Sequence, residues 1–150
     1  MSLSWKSNVS GTECRIFRGK LIVGLLKTSL WKSEGYGELH GHLLRFKHEG
    51  FFQGATKILD IEGKQELGMI RYNFWKGSAR ISYGEEHYDW QYESWTRTKW
   101  SVRNPDHDIQ FKLTSFWKNE GNVEDESVSY AVILAALYVN IYLGRISAAS

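Results

Sequence analysis

The chain has 150 residues, and its 19 basic and 17 acidic side chains give a formal net charge of +2. So small a charge gives no case for nucleic acid as a partner. An aromatic content of 15% suits strands and barrels better than disorder. The length predicts one domain, residues 1–150, with a sizeable core from about residue 13 to about residue 145.

Short segments of apolar and polar residues, separated by turn residues, predict β-strands along most of the chain. In order, the predicted strands are residues 14–18, 21–31, 36–42, 43–48, 52–61, 66–75, 79–83, 87–92, 95–102 and 109–117. Turns with Gly or Asn separate most of them, and the last predicted turn is residues 120–122. Tyr88, Trp90 and Tyr92 show the alternation clearly, since they share one face of their strand. Half-buried strands with short turns are typical of an antiparallel sheet.

An open sheet of so many short strands would leave two long unpaired edges, which favours closure into a barrel. A barrel of that size is wider than its own side chains can fill, so its interior needs a further element. We therefore predict a mainly β fold, a closed antiparallel β-barrel of about 11–12 strands around a buried hydrophobic C-terminal α-helix.

The apolar segment from Val128 to Leu143 is the predicted helix. It is apolar almost all round a helical wheel, and such a helix must be surrounded by protein or by lipid. It is shorter than the about 20 residues that cross a bilayer, which favours the barrel interior, with a transmembrane span as the alternative. Ser127 is the predicted N-cap and Gly144 the predicted C-terminal stop, with Arg145 near the negative end of the helix dipole. Inside a barrel, Asn140 needs a hydrogen-bond partner.

The strand region repeats itself. Residues 24–32 match residues 68–76, which lie 44 positions later, and residues 116–118 repeat residues 74–76 after a further 42. All of these matches end in Trp-Lys, which predicts three similar units around the barrel.

The basic residues that end these units are the first candidate site. Lys32, Lys76 and Lys118 each follow a Trp, and similar units would place them together on one rim of the barrel. Arg71 and Arg97 add charge in the second unit. Such a rim can touch an anionic membrane surface, each nearby basic residue contributing about 1 kcal/mol. The alternative is that these residues protect strand edges and keep the protein soluble.

A histidine pair is the second candidate. At alternate positions of a predicted strand, His40 and His42 point the same way, with Glu38 in line, and two imidazoles with a carboxylate can hold zinc. Surface histidines are the commoner outcome, so we predict no metal. A third candidate, residues 106–108, reads Asp-His-Asp and is explained by turn chemistry alone.

Enzyme signatures are absent from the sequence, which has no phosphate loop, no G-x-S-x-G and no H-E-x-x-H. Glu85 and Glu86 are adjacent and would point to opposite sides of a strand, so they are a poor acid and base pair. Cys14 is predicted to be a small buried apolar residue. As the one cysteine it leaves no internal disulfide, and no signal peptide is visible, so we predict a cytoplasmic protein with at most a peripheral membrane position.

Three segments point to a known family, the predicted strand and turn sequences of residues 58–63 (ILDIEG) and 67–70 (LGMI) and the apolar helix of residues 129–143. In these segments the chain resembles the tubby C-terminal-like superfamily. Within it, the chain is most similar to the LURP-one-related and phospholipid-scramblase-like proteins. The resemblance covers nearly the whole chain and implies a barrel of about twelve strands wound around the helix. It also implies phosphoinositide binding, membrane tethering or lipid scrambling.

We predict a non-enzymatic barrel module that binds anionic lipid headgroups or a protein partner and uses no cofactor. The alternative is a carrier of a small apolar ligand, which requires a cavity beside the helix. An enzyme of unknown type is the third hypothesis.

Overall fold

The computed structural model describes residues 2–29, 34–49, 54–115, 118–124 and 128–149. The strands are β1 (Leu3–Ser7), β2 (Glu13–Arg18), β3 (Leu21–Thr28), β4 (Glu34–Leu39), β5 (His42–Glu49), β6 (Ala55–Asp60), β7 (Glu66–Asn73), β8 (Ser78–Tyr83), β9 (Glu86–Tyr92), β10 (Lys99–Arg103), β11 (Asp108–Leu113) and β12 (Glu120–Glu124). They are followed by the helix α1 (Tyr130–Ala149).

The strands form a closed antiparallel barrel. Each strand pairs with its neighbours along the chain, and β1 closes the barrel by pairing with both β2 and β12. In the closing pair, Leu3 lies opposite Val123 and Trp5 lies opposite Gly121. Closure gives every strand a partner on both sides, which removes the exposed edges of an open sheet. The predicted fold class, a mainly β closed barrel, is confirmed.

Two strands, β1 and β12, have no counterpart in the sequence prediction. The predicted core begins near residue 13, yet Leu3 already begins β1. The turn predicted at residues 120–122 is the start of β12. A Cβ atom on Gly121 would lie 2.2 Å from the carbonyl oxygen of Lys112, so this Gly allows a close approach of two strands and does not mark a turn.

Large aromatic side chains line the inner face of β1 and of β9 to β11. Trp5, Trp90, Trp100 and Phe111 are at most 1% exposed. The Trp100 ring stacks on Phe111 with 3.9 Å between centroids and packs against Trp90 at 5.2 Å. Because each aromatic side chain buries about 150–250 Å², this layer is a large part of the core.

The helix α1 fills the rest of the interior. Every residue from 131 to 139 is buried, so burial covers all sides of the helix. An all-round apolar helix is stable in water only when other elements surround it, and here the barrel strands do so. The prediction of a hydrophobic helix inside the barrel is confirmed.

Small residues on one strand allow α1 to lie off-centre. The helix is closest to β4, β5 and β8. A Cβ atom on Gly37 would lie 3.1 Å from the Leu134 side chain, and one on Gly35 would lie 3.2 Å from the Tyr138 ring. Glycines on β4 therefore admit the helix on one side, while the aromatic layer fills the opposite side.

The ends of α1 differ from the prediction. The predicted N-cap, Ser127, lies outside the described residues, and the Ser129 hydroxyl accepts a hydrogen bond of 3.4 Å from the amide of Val132. Gly144 does not end the helix, which continues to Ala149. The physical reason is Arg145, whose guanidinium anchors the next turn to loop carbonyls of the barrel and outweighs the about 1 kcal/mol that a Gly costs inside a helix.

Candidate functional site

The C-terminal part of α1 marks one end of the barrel. Arg145 donates a hydrogen bond of 3.1 Å to the carbonyl oxygen of Gly11, between β1 and β2, and one of 3.3 Å to that of Ser29, after β3. In an up-and-down barrel, the connections that follow odd-numbered strands all lie at this same end. We call this end the C-terminal rim, and it includes residues 8–12, 74–77, 93–98 and 118–119.

Several large apolar side chains on the C-terminal rim are exposed to solvent. Trp75 is 100% exposed and Trp95 is 94% exposed, although Trp is highly buried on average. Val9 is also fully exposed, and Phe74 is about half exposed. These side chains come from three loops, between β1 and β2, β7 and β8, and β9 and β10. Exposed apolar side chains at one end of the barrel make the C-terminal rim the candidate interaction surface.

Basic side chains lie on the same rim. Lys76 follows Trp75 between β7 and β8, Arg97 lies between β9 and β10, and Lys118 lies between β11 and β12. All three basic side chains are exposed. The structure thus places three of the basic residues that the sequence assigned to a rim at the same end of the barrel, each in a different loop.

Of the other predicted basic residues, one lies outside the described residues and one lies on the outer wall of the barrel. Lys32 lies in residues 30–33, outside the described residues. Arg71 lies on the outer wall of β7, where it is exposed and directly opposite Arg80 of β8. Its side chain points away from the barrel wall, so Arg71 adds charge to the outer wall and not to the rim itself.

A groove of about 380 Å³ runs between the β7–β8 and β9–β10 loops. Its lining residues are Lys76, Tyr92, Glu93, Ser94, Trp95 and Arg97. The Arg97 guanidinium carbon lies 5.2 Å from the centroid of the Tyr92 ring, which is a cation–π contact. Burial raises the pKa of the Tyr92 hydroxyl, while the charge of Arg97 acts in the opposite direction. The phenol is therefore neutral at neutral pH.

The acidic residue of the groove is already paired. Glu93 forms a salt bridge of 2.9 Å with Arg103 and accepts a hydrogen bond from the Ser101 hydroxyl. Arg103 also pairs with Asp108, so the three basic side chains Lys76, Arg97 and Arg103 and the two carboxylates Glu93 and Asp108 leave a net charge of +1 around the groove.

The β9–β10 loop is ordered by its own hydrogen bonds. The hydroxyl oxygen of Ser94 accepts a hydrogen bond of 3.3 Å from the amide of Thr98 and one of 3.2 Å from the hydroxyl of Thr96. The carbonyl oxygen of Ser94 accepts a further bond of 3.1 Å from the amide of Arg97. These bonds close a tight turn that carries Trp95 at its tip.

A polar cluster lies under the rim, between α1 and strands β5 to β7. The Tyr142 hydroxyl is 3.2 Å from His48 Nε2, and the hydroxyls of Thr56 and Tyr72 are 2.9 Å apart. The rings of Tyr72 and Tyr142 pack with 4.6 Å between centroids. Burial raises the pKa of Tyr72 well above its ordinary value, so this phenol is neutral. The cluster ties the last turns of α1 to the strands that support the rim.

Comparison with known proteins gives no relative. No family model matches the chain, and neither a curated protein nor a solved structure matches it. The resemblance to the tubby C-terminal-like superfamily therefore stays a prediction, while the barrel with its C-terminal helix is shown. Among the described residues, no helix combines the length and apolar character needed to cross a bilayer.

The predicted histidine pair does not lie on one strand. Because β4 ends at Leu39 and β5 begins at His42, residues His40 and Gly41 form the turn between them. Their φ angles of 49° and 83° are both left-handed, as in the tight turns of β-hairpins. The rings of His40 and His42 lie 4.7 and 6.1 Å from that of Tyr130, at the start of α1. In the part of the chain that the structure describes, no three His, Cys, Asp or Glu residues are grouped to hold a metal.

The remaining candidates have structural roles. Cys14 is 1% exposed, and burial raises its pKa to about 12, so the prediction of a small buried residue is confirmed. Glu85 lies in the turn before β9 and Glu86 begins that strand. Asn104 Oδ1 accepts hydrogen bonds of 2.9 and 2.7 Å from the amides of residues 106 and 107, which confirms the predicted turn.

Sequence reasoning did not identify Trp95 and Tyr92 as site residues. The predicted strand of residues 95–102 begins in fact at Lys99, because Ser94 closes the turn described above. The signal was present in the alternation of Ser and Thr at positions 94, 96 and 98, since such hydroxyls bond to nearby backbone and favour turns.

Proposed function

We propose that this protein docks on anionic membrane surfaces through the C-terminal rim, without crossing the bilayer. The observation that carries the proposal is the exposure of Trp75 and Trp95 beside Lys76, Arg97 and Lys118. Trp prefers the interface between lipid headgroups and hydrocarbon. Each basic residue near an anionic surface contributes about 1 kcal/mol to binding.

The arrangement of the rim suits a flat partner. Its exposed side chains stand on separate loops at one end of the barrel, so several can reach a planar surface at once. The loop of Trp95 is ordered by its own hydrogen bonds before any partner binds. Less conformational entropy is therefore lost on docking. A barrel that inserts only loop tips also keeps its strand backbones paired.

The alternatives receive less support. A protein partner would use the same rim, and the vesicle experiment below separates it from a membrane. A carrier of apolar ligands needs a cavity in the barrel, but α1, Trp90 and Trp100 occupy the interior. The absence of enzymatic activity and the cytoplasmic location stay predictions.

The electrostatic part of the proposal is tested with two double Lys→Glu variants that change the net charge equally, one on the C-terminal rim and one at the opposite end of the barrel. The full chain is mixed with phosphatidylcholine vesicles, with and without phosphatidylserine, and binding is measured by flotation over a series of salt concentrations. We expect Lys76→Glu/Lys118→Glu to abolish binding and Lys20→Glu/Lys64→Glu, in exposed turns at the opposite end, to retain it. If the wild-type chain fails to bind phosphatidylserine vesicles at low salt, the membrane proposal is abandoned in favour of a protein partner.

The apolar part is tested with a matched pair of truncations. We expect Trp75→Ala/Trp95→Ala to weaken binding strongly, because both side chains are exposed on the rim. Leu21→Ala/Leu43→Ala removes apolar surface near the opposite end, where Leu21 is 71% exposed and Leu43 is 46% exposed, and should leave binding unchanged. Equal losses for the two pairs would contradict an oriented docking through the C-terminal rim.

A further inference from the structure

We infer that the outer wall of β2 to β4 docks a second copy of this chain, in a two-fold dimer whose axis runs along β3. Among the described residues, eight large apolar side chains are exposed, and four of them belong to the C-terminal rim. The other four lie on three adjacent strands, β3, β4 and β5, and are Leu21, Ile22, Tyr36 and Leu43. An exposed apolar patch is a feature of protein interfaces, and this one is separate from the rim that docks on membranes.

Charged side chains alternate with apolar ones across this wall. Strand pairing places Leu25 of β3 between Arg15 of β2 and Glu38 of β4. Leu43 of β5 follows on the far side of Glu38. The residues next to these along each strand are buried, so the row itself faces outward. Because neighbouring strands lie about 4.8 Å apart, Arg15 and Glu38 are opposite charges at equal distances from Leu25.

This row is complementary to itself. A two-fold axis along β3 exchanges the two sides of that strand, so it brings β2 of one copy against β4 of the other. Arg15 then faces Glu38 of the second copy, and the second copy's Arg15 faces Glu38. Leu25 packs against its own copy between these two ion pairs. Ile22, which is 59% exposed, meets its own copy further along β3.

The neighbouring row on β2 and β3 is compatible with the same axis. Lys27, the next outward residue of β3, would meet its own copy, but Glu13 lies directly opposite it on β2. The axis brings the second copy's Glu13 to the other side of Lys27. Glu13 also forms an exposed salt bridge of 2.9 Å with Arg15, whose five N–H donors can serve this carboxylate and the second copy's Glu38. The two acidic and two basic side chains of β2 to β4 in these rows sum to zero, so the copies meet without net repulsion.

The two neighbouring strands are poorer choices of axis. An axis along β4 would place Glu38 against its own copy and Lys27 against Arg45 of β5. An axis along β2 would place Arg15 and Glu13 each against its own copy. Like charges that face each other disfavour an interface, which selects β3.

The curvature of the barrel predicts a weak dimer. The outer wall of a closed barrel is convex, so only about three strands of each copy touch, and interfaces below about 1,200 Å² in total are typical of weak complexes. We therefore expect a dissociation constant on the order of 10–100 μM. The vesicle experiments above are run well below this concentration, where the chain is a monomer. The Leu21→Ala/Leu43→Ala control is then unaffected by dimerisation.

The first experiment tests for the dimer and for its apolar contact. Sedimentation equilibrium of the full chain from about 5 to 500 μM should show a monomer–dimer equilibrium. Ile22→Thr should weaken association at least about tenfold, because it removes apolar surface on the axis. Val9→Thr makes a similar change at an exposed position of the C-terminal rim and should dimerise like the wild type. A wild-type chain that stays monomeric at the highest concentration, or equal losses in the two variants, would overturn the inference.

The second experiment tests the axis with charge reversals. Arg15→Glu places two acidic side chains against each other at both contacts, and Glu38→Arg places two basic ones there. Each variant alone should dimerise at least about tenfold more weakly than the wild type. An equimolar mixture of the two variants restores opposite charges at both contacts, so it should associate like the wild type, as a heterodimer. A mixture that associates no more strongly than the separate variants would refute the axis along β3.

The controls for charge come from the opposite side of the barrel. Arg80 of β8 and Asp89 of β9 are also exposed and directly opposite each other. Arg80→Glu and Asp89→Arg make the same charge changes there and should each dimerise like the wild type. Weakened dimerisation in these controls would show that net charge governs association and would overturn the inference. Urea midpoints of all four charge variants should lie close to that of the wild type, since none of the four positions is buried.

Discussion

The indole Nε1 of Trp90 donates a hydrogen bond of 3.1 Å to the main-chain carbonyl oxygen of Ala136. Trp90 stands on the inner face of β9, Ala136 lies inside α1, and both are fully buried. Apolar packing is non-directional, so it does not by itself select one rotation of an all-apolar helix. A directed bond from the wall to the helix backbone does, because only one rotation and depth brings this carbonyl to the indole.

Trp90→Phe tests this bond. The substitution removes the indole N–H and leaves part of the ring volume empty, so we expect a loss of about 2–3 kcal/mol in the free energy of unfolding. Trp95→Phe is the matched control, since Trp95 is 94% exposed, and should change stability by less than about 0.5 kcal/mol. Urea unfolding followed by circular dichroism measures both. Similar losses for the two variants would contradict the role given to the bond.

Gly68→Ala tests the close approach of strands. A Cβ atom on Gly68 would lie 2.2 Å from the carbonyl oxygen of Ser82, and one on Gly24 would lie 2.6 Å from that of Glu38. Backbone has to move in either variant, so each should lose more than about 2 kcal/mol. Gly84→Ala, a turn position with φ 61° and nothing within 4 Å, should lose only about 1 kcal/mol. Thermal unfolding of the three variants ranks their losses of stability. A larger loss for Gly84→Ala than for the other two would contradict the role given to the close approach of strands.

The parts of the fold that the sequence predicted are those with a strong local pattern. The alternation at Tyr88, Trp90 and Tyr92 predicted β9, because half-buried strands repeat every second residue. The all-apolar helix predicted the barrel interior by the same physics, since such a surface has to be covered. The equivalent glycines, Gly24 and Gly68, both lie beside shifts of strand register, although the repeat itself stays a prediction.

The parts that failed depend on tertiary contacts. Gly121 suggested a turn, but it is a strand residue because its neighbour Trp5 and the opposite backbone leave no room for a side chain. His40 and Gly41 form a two-residue hairpin turn with left-handed backbone at both positions, so the chain reverses where the sequence suggested a continuous strand. The groove brings Lys76 and Arg97 together from separate loops, which no local pattern shows.

Arg145→Met tests the anchor at the end of α1. The guanidinium donates hydrogen bonds to the carbonyl oxygens of Gly11 and Ser29 and to the hydroxyl of Thr28. Loss of a charged donor to several partners should cost about 2–3 kcal/mol, and the last turn of the helix should exchange its amide hydrogens faster. Arg80→Met, in an exposed position of β8, is the control and should be nearly neutral. Unchanged exchange in the helix end would show that Arg145 does not hold it.

Asn140 has the hydrogen-bond partner that its position requires, in a loop and not in a strand. Asn119 Oδ1 accepts bonds of 3.1 Å from both Asn140 Nδ2 and Trp5 Nε1. Asn140→Leu leaves this oxygen satisfied by Trp5, so the loss should be about 1 kcal/mol. Asn119→Ala leaves two donors without their acceptor and should cost about 2–3 kcal/mol. Denaturant midpoints rank the two variants, and the opposite order would contradict the shared acceptor.

Stability should fall in alkaline solution because buried groups keep their protons in the folded state. Burial raises the pKa of Cys14 from its ordinary 9.0 to about 12 and that of Tyr138 from 10.0 to about 12. At pH values between the ordinary pKa of each group and its raised pKa in the folded state, the unfolded chain has lost protons that the folded chain still binds. The free energy of unfolding therefore decreases as pH rises. The contribution is fully present below the unfolded-state pKa values and is lost as pH rises through the folded-state values.

Cys14→Val isolates the thiol, because it keeps an apolar side chain of similar volume at this buried position and removes its proton. Urea midpoints measured from neutral to alkaline pH should decline in the wild type from about pH 9, and in the variant only once the tyrosines of the unfolded chain ionise near pH 10. The native wild-type thiol should also react slowly with an alkylating reagent at pH 8 and rapidly in urea, since the thiolate is the reactive form. A native thiol that reacts as fast as the unfolded one would show that Cys14 is not held away from solvent by β2 and its neighbours.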